Sequence, residues 1–200
     1  MGGSAVAATA GGVHGFPAAL TSFVGRDGPV REVTALLAGH RLVTVTGPGG
    51  SGKTRVAAEV ARHVAGRFAD GVWLIELAPV ADAAQLPSAA AAALGVREDP
   101  GVPAAEALAR VLARQQVLLM LDNCEHVIAA AAGLCAGLLL AADDVRILAT
   151  SREPLAVAGE ARYRLAPLAV PDPDDLASAA GPRRWPCSRT GPAMPISVSR

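Results

Sequence analysis

Lysine is almost missing from this 200-residue chain: seventeen of its eighteen basic residues are arginine, and the other is Lys53. Aromatic residues are scarce too, at 3% against 52% hydrophobic, so the core has to be built from alanine, valine and leucine. There is no excess of either charge, eighteen Lys+Arg standing against eighteen Asp+Glu. That balance removes the general attraction expected of a nucleic-acid or anionic-membrane binder. Cysteine is rare and odd in number, three in all, which excludes a secreted disulfide scaffold. Cys124 and Cys135, read as lying on one helix, would be separated by about 16 Å, too far to bridge. A reducing, cytoplasmic compartment is expected. The first thirteen residues lack a basic stretch and do not read as a signal peptide. Val6 breaks the myristoylation pattern. The longest apolar run, Val127 to Ala142, has sixteen residues, short of the roughly 18 that a membrane span needs. A buried helix is expected there, and no membrane partner.

What remains is enough for one domain, or one domain plus a fragment. Residues 1–22 are rich in Gly, Ala and Pro without periodicity and are expected to form a flexible leader. Asp27-Gly28-Pro29 signals a helix start, and Val30, Val33 and Leu37 lie on one face of a helix ending near Gly39. Arg41 to Thr46 reads as a strand that runs into Gly47-Pro-Gly-Gly-Ser-Gly-Lys-Thr54, and a helix follows with Val56, Val60 and Val64 on one face. Further strands are expected at Gly71–Leu77, Val117–Asp122 and Val145–Thr150, and helices at 82–94, 103–114 and along Val127–Ala142. Strands apolar on both faces, alternating with helices, predict an α/β layered fold with a parallel sheet. The nucleotide-binding domain is expected over 23–172. From about Ala180 the apolar period is lost, and 173–200 reads as a disordered tail or as a domain cut short.

Gly47-x4-Gly52-Lys53-Thr54 is the Walker A pattern. Glycines let the loop fold back so that successive amides face a phosphate chain, and the following helix adds the positive end of its dipole. Lys53 then reaches the β- and γ-phosphates, and the Thr54 hydroxyl ligates Mg2+. A chain of this composition produces the pattern by chance roughly 0.001 times, so coincidence is a poor explanation. Asp122 ends an apolar strand as a Walker B aspartate does, where it can share the Mg2+ with Thr54. The residue after it is Asn123, which cannot act as a base. Glu125 could serve as one, or could stabilise a helix N-terminus. Arg152 follows the strand ending at Thr150, on the edge where ligands collect, and could neutralise a γ-phosphate. Cys124 and His126, two residues apart on a helix, do not face each other and are not read as metal ligands.

Phe23-Val-Gly-Arg26, Thr46–Thr54, Leu118-Leu-Met-Leu-Asp-Asn-Cys-Glu-His126 and Leu148-Ala-Thr-Ser-Arg-Glu-Pro-Leu155 occur in that order. Together they resemble the nucleotide-binding domain of bacterial STAND ATPases, signal-transduction ATPases related to NB-ARC and AAA+ domains and found in large transcriptional regulators. The resemblance spans about residues 16–172. It implies a three-layer P-loop NTPase of the additional-strand class, with five parallel strands and the Walker A strand central. It implies an adenine nucleotide, ATP or ADP, cradled by Gly47, Pro48, Gly49, Gly50, Ser51, Gly52, Lys53, Thr54 and Arg55. Val24 and Arg26 would lie near the adenine, Ser151-Arg152 would form a sensor, and nucleotide state would switch an assembly. The helical lid with its Gly-Leu-Pro-Leu motif, the winged helix and the repeats of family members are not found in these residues, nor is a DNA-binding helix-turn-helix. The chain is therefore expected to be a truncated nucleotide module that does not bind DNA directly. Self-association or C-terminal regulatory domains are its expected partners.

The leading expectation is an ATP/ADP switch with slow or conditional Mg2+-dependent hydrolysis. A P-loop kinase acting on a small acceptor is the alternative, but the 95–115 segment offers only Arg97, Arg110 and Arg114 for its lid. A GTPase is disfavoured because the sole lysine, which guanine recognition through Asn-Lys-x-Asp would need, is already in the phosphate loop. A degraded remnant that binds nothing is the remaining alternative.

Overall fold

A run of apolar side chains with no polar face is satisfied only between two layers. The computed structural model describes residues 12–17 and 25–167 and puts these runs in that position. Its elements are β1 (Val13–His14), α1 (Asp27–Gly39), β2 (Leu42–Thr46), α2 (Lys53–Val64), β3 (Val72–Glu76), α3 (Leu86–Ala93), α4 (Ala104–Leu112), β4 (Leu118–Asp122), α5 (Ile128–Ala141), β5 (Arg146–Ser151) and β6 (Glu160–Arg164). All six strands are parallel, in the order β1-β3-β4-β5-β2-β6.

Alternate residues of each strand enter opposite cores. Val43, Val45, Met120 and Leu148 pack with Val33, Leu37, Val56 and Val60 of α1 and α2. Leu42, Leu119, Leu121 and Ile147 pack with Leu86, Leu108, Leu134 and Leu138 of α3, α4 and α5. Three layers result, and β5 lies between β2 and β4 as the additional strand. Because every strand runs the same way, Thr46, Asp122 and Ser151 end on one edge of the sheet. No helix among the described residues is long and apolar enough to cross a membrane.

Several expectations are corrected. The Walker A strand is not central: β2 is the fifth strand of six, next to the edge strand β6. Five strands become six because Val13–His14, part of the expected leader, pairs with Val72 and Trp73. The Val72 amide donates to the Gly12 carbonyl at 2.9 Å, and the His14 ring stacks on Trp73 at 4.0 Å. Residues 1–11 and 18–22 of the expected leader and the 173–200 tail lie outside the described residues. Cys124 does not share a helix with Cys135. It sits in a 3-10 turn, Cys124–His126, because Asn123 enters the left-handed region at φ 65 and breaks the path from β4 into α5. The helical-rise argument against a bridge therefore does not apply. Both thiols are free and buried in one core. Burial pushes Cys135 up to about 12 and Cys124 higher still, so neither readily forms the thiolate that disulfide chemistry needs.

Candidate phosphate-binding site

The loop between β2 and α2 is shaped by its glycines. Gly50 and Gly52 have φ of +73 and +87, a region that costs other residues strain. Gly47, at φ +155, carries a second constraint: a Cβ there would stand 2.7 Å from the Leu165 carbonyl oxygen. The loop is thus seated against the chain leaving β6, where the Leu165 amide donates to the Thr46 carbonyl at 2.7 Å. The first helical bond of α2 runs from the Val56 amide to the Gly52 carbonyl at 3.0 Å. The amides of Lys53 and Thr54 therefore have no intrahelical acceptor, and the positive end of the helix faces the loop.

Lys53 is buried, and its ammonium donates to the carbonyls of Gly47 and Pro48, each at 3.0 Å. The only ammonium of the side chains is thereby stored inside the curl of the loop. Arg26, also buried, does not line the cleft. It braces the loop from behind, donating to the Ser51 carbonyl at 3.0 Å and to the Ala166 carbonyl at 2.8 Å. Val24 lies outside the described residues.

Across the mouth of the loop, Thr54 Oγ1 donates to Asp122 Oδ1 at 2.8 Å. Thr150 Oγ1 donates to the same oxygen at 2.6 Å and accepts from the Asn123 amide at 3.0 Å. Thr150 is a member of the site that sequence reasoning placed only as a strand end. Its bond to Asp122 exists because β5 lies directly beside β4, with Ala149 in register with Leu121. Arg152 Nε pairs with Glu125 Oε1 at 3.2 Å. Thr54, Glu125, Thr150 and Arg152, with Lys53, Arg55, Asn123 and the loop glycines, line an open cleft of about 340 Å3, a volume within the range of small-molecule sites.

The donor set suits a phosphate chain with a hard divalent cation. Loop amides and an ammonium serve anions. The Thr54 hydroxyl and the Asp122 carboxylate converge as two oxygen donors, the number Mg2+ takes from protein when phosphates and water complete its shell. Among the described residues no cluster of three or more His, Cys, Asp or Glu could hold a metal without such help. His126 turns away, its Nε2 lying 3.1 Å from the Val80 carbonyl oxygen.

The family described as AAA ATPase domain matches residues 22–170. An uncharacterized protein of Mycobacterium tuberculosis is 40% identical over 151 residues, covering 76% of this chain and 38% of that protein. A second M. tuberculosis protein, provisionally named an HTH-type transcriptional regulator, is 41% identical over 138 residues, covering 69% of this chain and 15% of that protein. The chain thus spans less than half the length of the relatives it matches. Among solved structures, Cdc6p of Pyrobaculum aerophilum has a TM-score of 0.56 at 13% identity, covering 76% of this chain and 48% of that one. A STAND protein with a tetratricopeptide repeat sensor from Pyrococcus horikoshii has a TM-score of 0.50 at 16% identity, covering 73% and 23%. At these identities the two structures establish the fold alone.

Proposed function

The chain belongs to the AAA ATPase domain family, and we propose that it is the ATP/ADP-binding switch module of a STAND-type regulatory ATPase. The phosphates sit in the loop of residues 47–54. Lys53 leaves the Gly47 and Pro48 carbonyls to neutralise the β- and γ-phosphates. Thr54 and Asp122 hold Mg2+, which supplies charge neutralisation of the phosphate oxygens when bound. Val24 contributes to the adenine end, and Arg26 acts through its brace on the Ser51 carbonyl, holding the loop in shape.

The observation that carries this reading is the bond between Thr54 and Asp122: a Walker A hydroxyl and a Walker B carboxylate meet at the open mouth of the loop. Hydrolysis is slow or conditional in this reading. Asn123 occupies the position after Asp122 and cannot take a proton from water. The likeness to a longer protein named as a transcriptional regulator supports a regulatory setting, with the remaining domains supplied by a longer chain or a partner.

Protection against unfolding tests the proposal. Mg2+-ADP at ~100 times its dissociation constant should add about 2.7 kcal/mol to the unfolding free energy. The absence of protection by both Mg2+-ADP and Mg2+-ATP would leave a fold without the function.

A further inference from the structure

Glu125 and Arg152 come from different connections, the turn after β4 and the loop after β5, and meet in the cleft at 3.2 Å. Their surroundings differ sharply. The Arg152 side chain is 67% exposed, and nothing else among the described residues pins it. The Glu125 side chain is only 17% exposed, and its second oxygen, Oε2, is buried with no hydrogen-bond partner. A carboxylate so placed has lost much of its hydration and is paired with the Arg152 cation. Glu125 grips Nε, leaving the two terminal nitrogens of the guanidinium uncommitted. One of them, Nη2, lies 3.8 Å from the place a Cβ on Gly49 would occupy, so the free end of the fork hangs over the phosphate loop.

We propose that Glu125 is a positioning residue: it aims the guanidinium of Arg152 at the terminal phosphate of a nucleoside triphosphate, and so sets the preference of the site for triphosphate over diphosphate. This rests on the nucleotide-binding reading above and gives Glu125 a role other than general base. Without the carboxylate, an exposed arginine spreads over many rotamers and its orientation must be fixed at the moment of binding. A diphosphate ends short of the guanidinium and is indifferent to where Arg152 points.

Conservative replacement separates positioning from proton transfer. Glutamine keeps an oxygen that accepts from Arg152 Nε but cannot act as a base; alanine keeps neither. Dissociation constants for a non-hydrolysable ATP analogue and for ADP, both with Mg2+, should be measured on the parent, Glu125→Ala, Glu125→Gln, Arg152→Ala and the double alanine variant. In Glu125→Ala and Arg152→Ala the ratio of analogue to ADP affinity should fall about fivefold or more, the scale of a modest coupling. ADP affinity should stay within about twofold in both. The double variant should be no worse than Arg152→Ala alone, because both changes cut one path. Glu125→Gln should keep most of the parent ratio and any turnover the parent shows.

Unfolding without nucleotide checks each variant. Should Glu125→Ala not fold, Glu125→Asp, shorter by one methylene, carries the same expectation as the alanine. An unchanged ratio in Glu125→Ala, or turnover abolished in Glu125→Gln, would overturn the positioning role while leaving nucleotide binding intact. A parent that binds neither nucleotide would overturn the binding reading and this inference together.

Discussion

Thr54 and Asp122 lie 68 positions apart in the chain and 2.8 Å apart in space, hydroxyl to carboxylate. Their meeting requires β2 and β4 to be parallel and separated by one strand only. Because both β5-flanking strands end on the same edge, Asp122 closes the mouth of the loop that Thr54 ends.

Removing the charge but not the shape of Asp122 should uncouple nucleotide binding from Mg2+. Asparagine still offers Oδ1 to Thr54 and Thr150 but is a weak ligand for a hard cation. In Asp122→Asn, ADP affinity should become nearly independent of Mg2+ while metal-free binding stays close to the parent. Titration with and without a chelator reads both. Parent-like dependence on Mg2+ would remove Asp122 from the metal site.

Lys53→Ala should abolish the stabilisation by Mg2+-ADP. The folded chain itself should tolerate the change, since the ammonium now satisfies only two loop carbonyls that water can reach once it is gone. Melting curves with and without ligand give the answer. A variant protected as fully as the parent would refute the role of the lysine.

Gly47→Ala presses a methyl group to within 2.7 Å of a backbone oxygen that cannot rotate away. The fold should lose about 1–3 kcal/mol, as for other overpacked sites. The loop should also lose its seat on Leu165, weakening nucleotide binding beyond what stability explains. Urea denaturation and ligand titration separate the two effects.

Glu160 introduces a pH dependence. Its side chain is 1% exposed, and its two oxygens accept from the Leu155 amide at 2.8 Å and the Ala156 amide at 3.1 Å. Burial alone would raise its pKa, but the bonds from these amides and from Arg162, together with the nearby Thr44 hydroxyl, outweigh burial and lower it. A pKa lowered on folding stabilises the protein above the ordinary carboxylate value, and that gain is lost as pH falls through the folded value. Glu160→Gln should therefore cost about 1–3 kcal/mol near neutral pH, the scale of charge-assisted bonds. The gap from the parent should close in acid. Denaturation at a series of pH values checks it, and a gap constant with pH would contradict it.

The parts of this chain with strong local grammar were readable before the fold was known. The glycine loop identifies itself, the β-branched run before it is β2, and the spacing of Val30, Val33 and Leu37 places α1 up to Gly39. Less could be read where pairing, not pattern, makes the structure. β6 escaped notice because Glu160, Arg162 and Arg164 put charge on one face, and only Ala161 is buried on the other. Its strand character comes from pairing with β2 over Leu42–Thr46. β1 is two residues long, and its order comes from Trp73 rather than from its own sequence. Within the site, Asp122 and Arg152 were legible as edge residues. That Thr150 bonds Asp122 and that Arg152 pairs with Glu125 depends on the strand order, which no stretch of residues states by itself.

The most direct test is calorimetric titration of the parent with ADP in the presence of Mg2+, repeated with ATP. A saturable one-to-one heat with adenine nucleotide, absent in Lys53→Ala, is the predicted result. A folded parent that gives no heat with either nucleotide, or a Lys53→Ala variant that titrates like the parent, would contradict it.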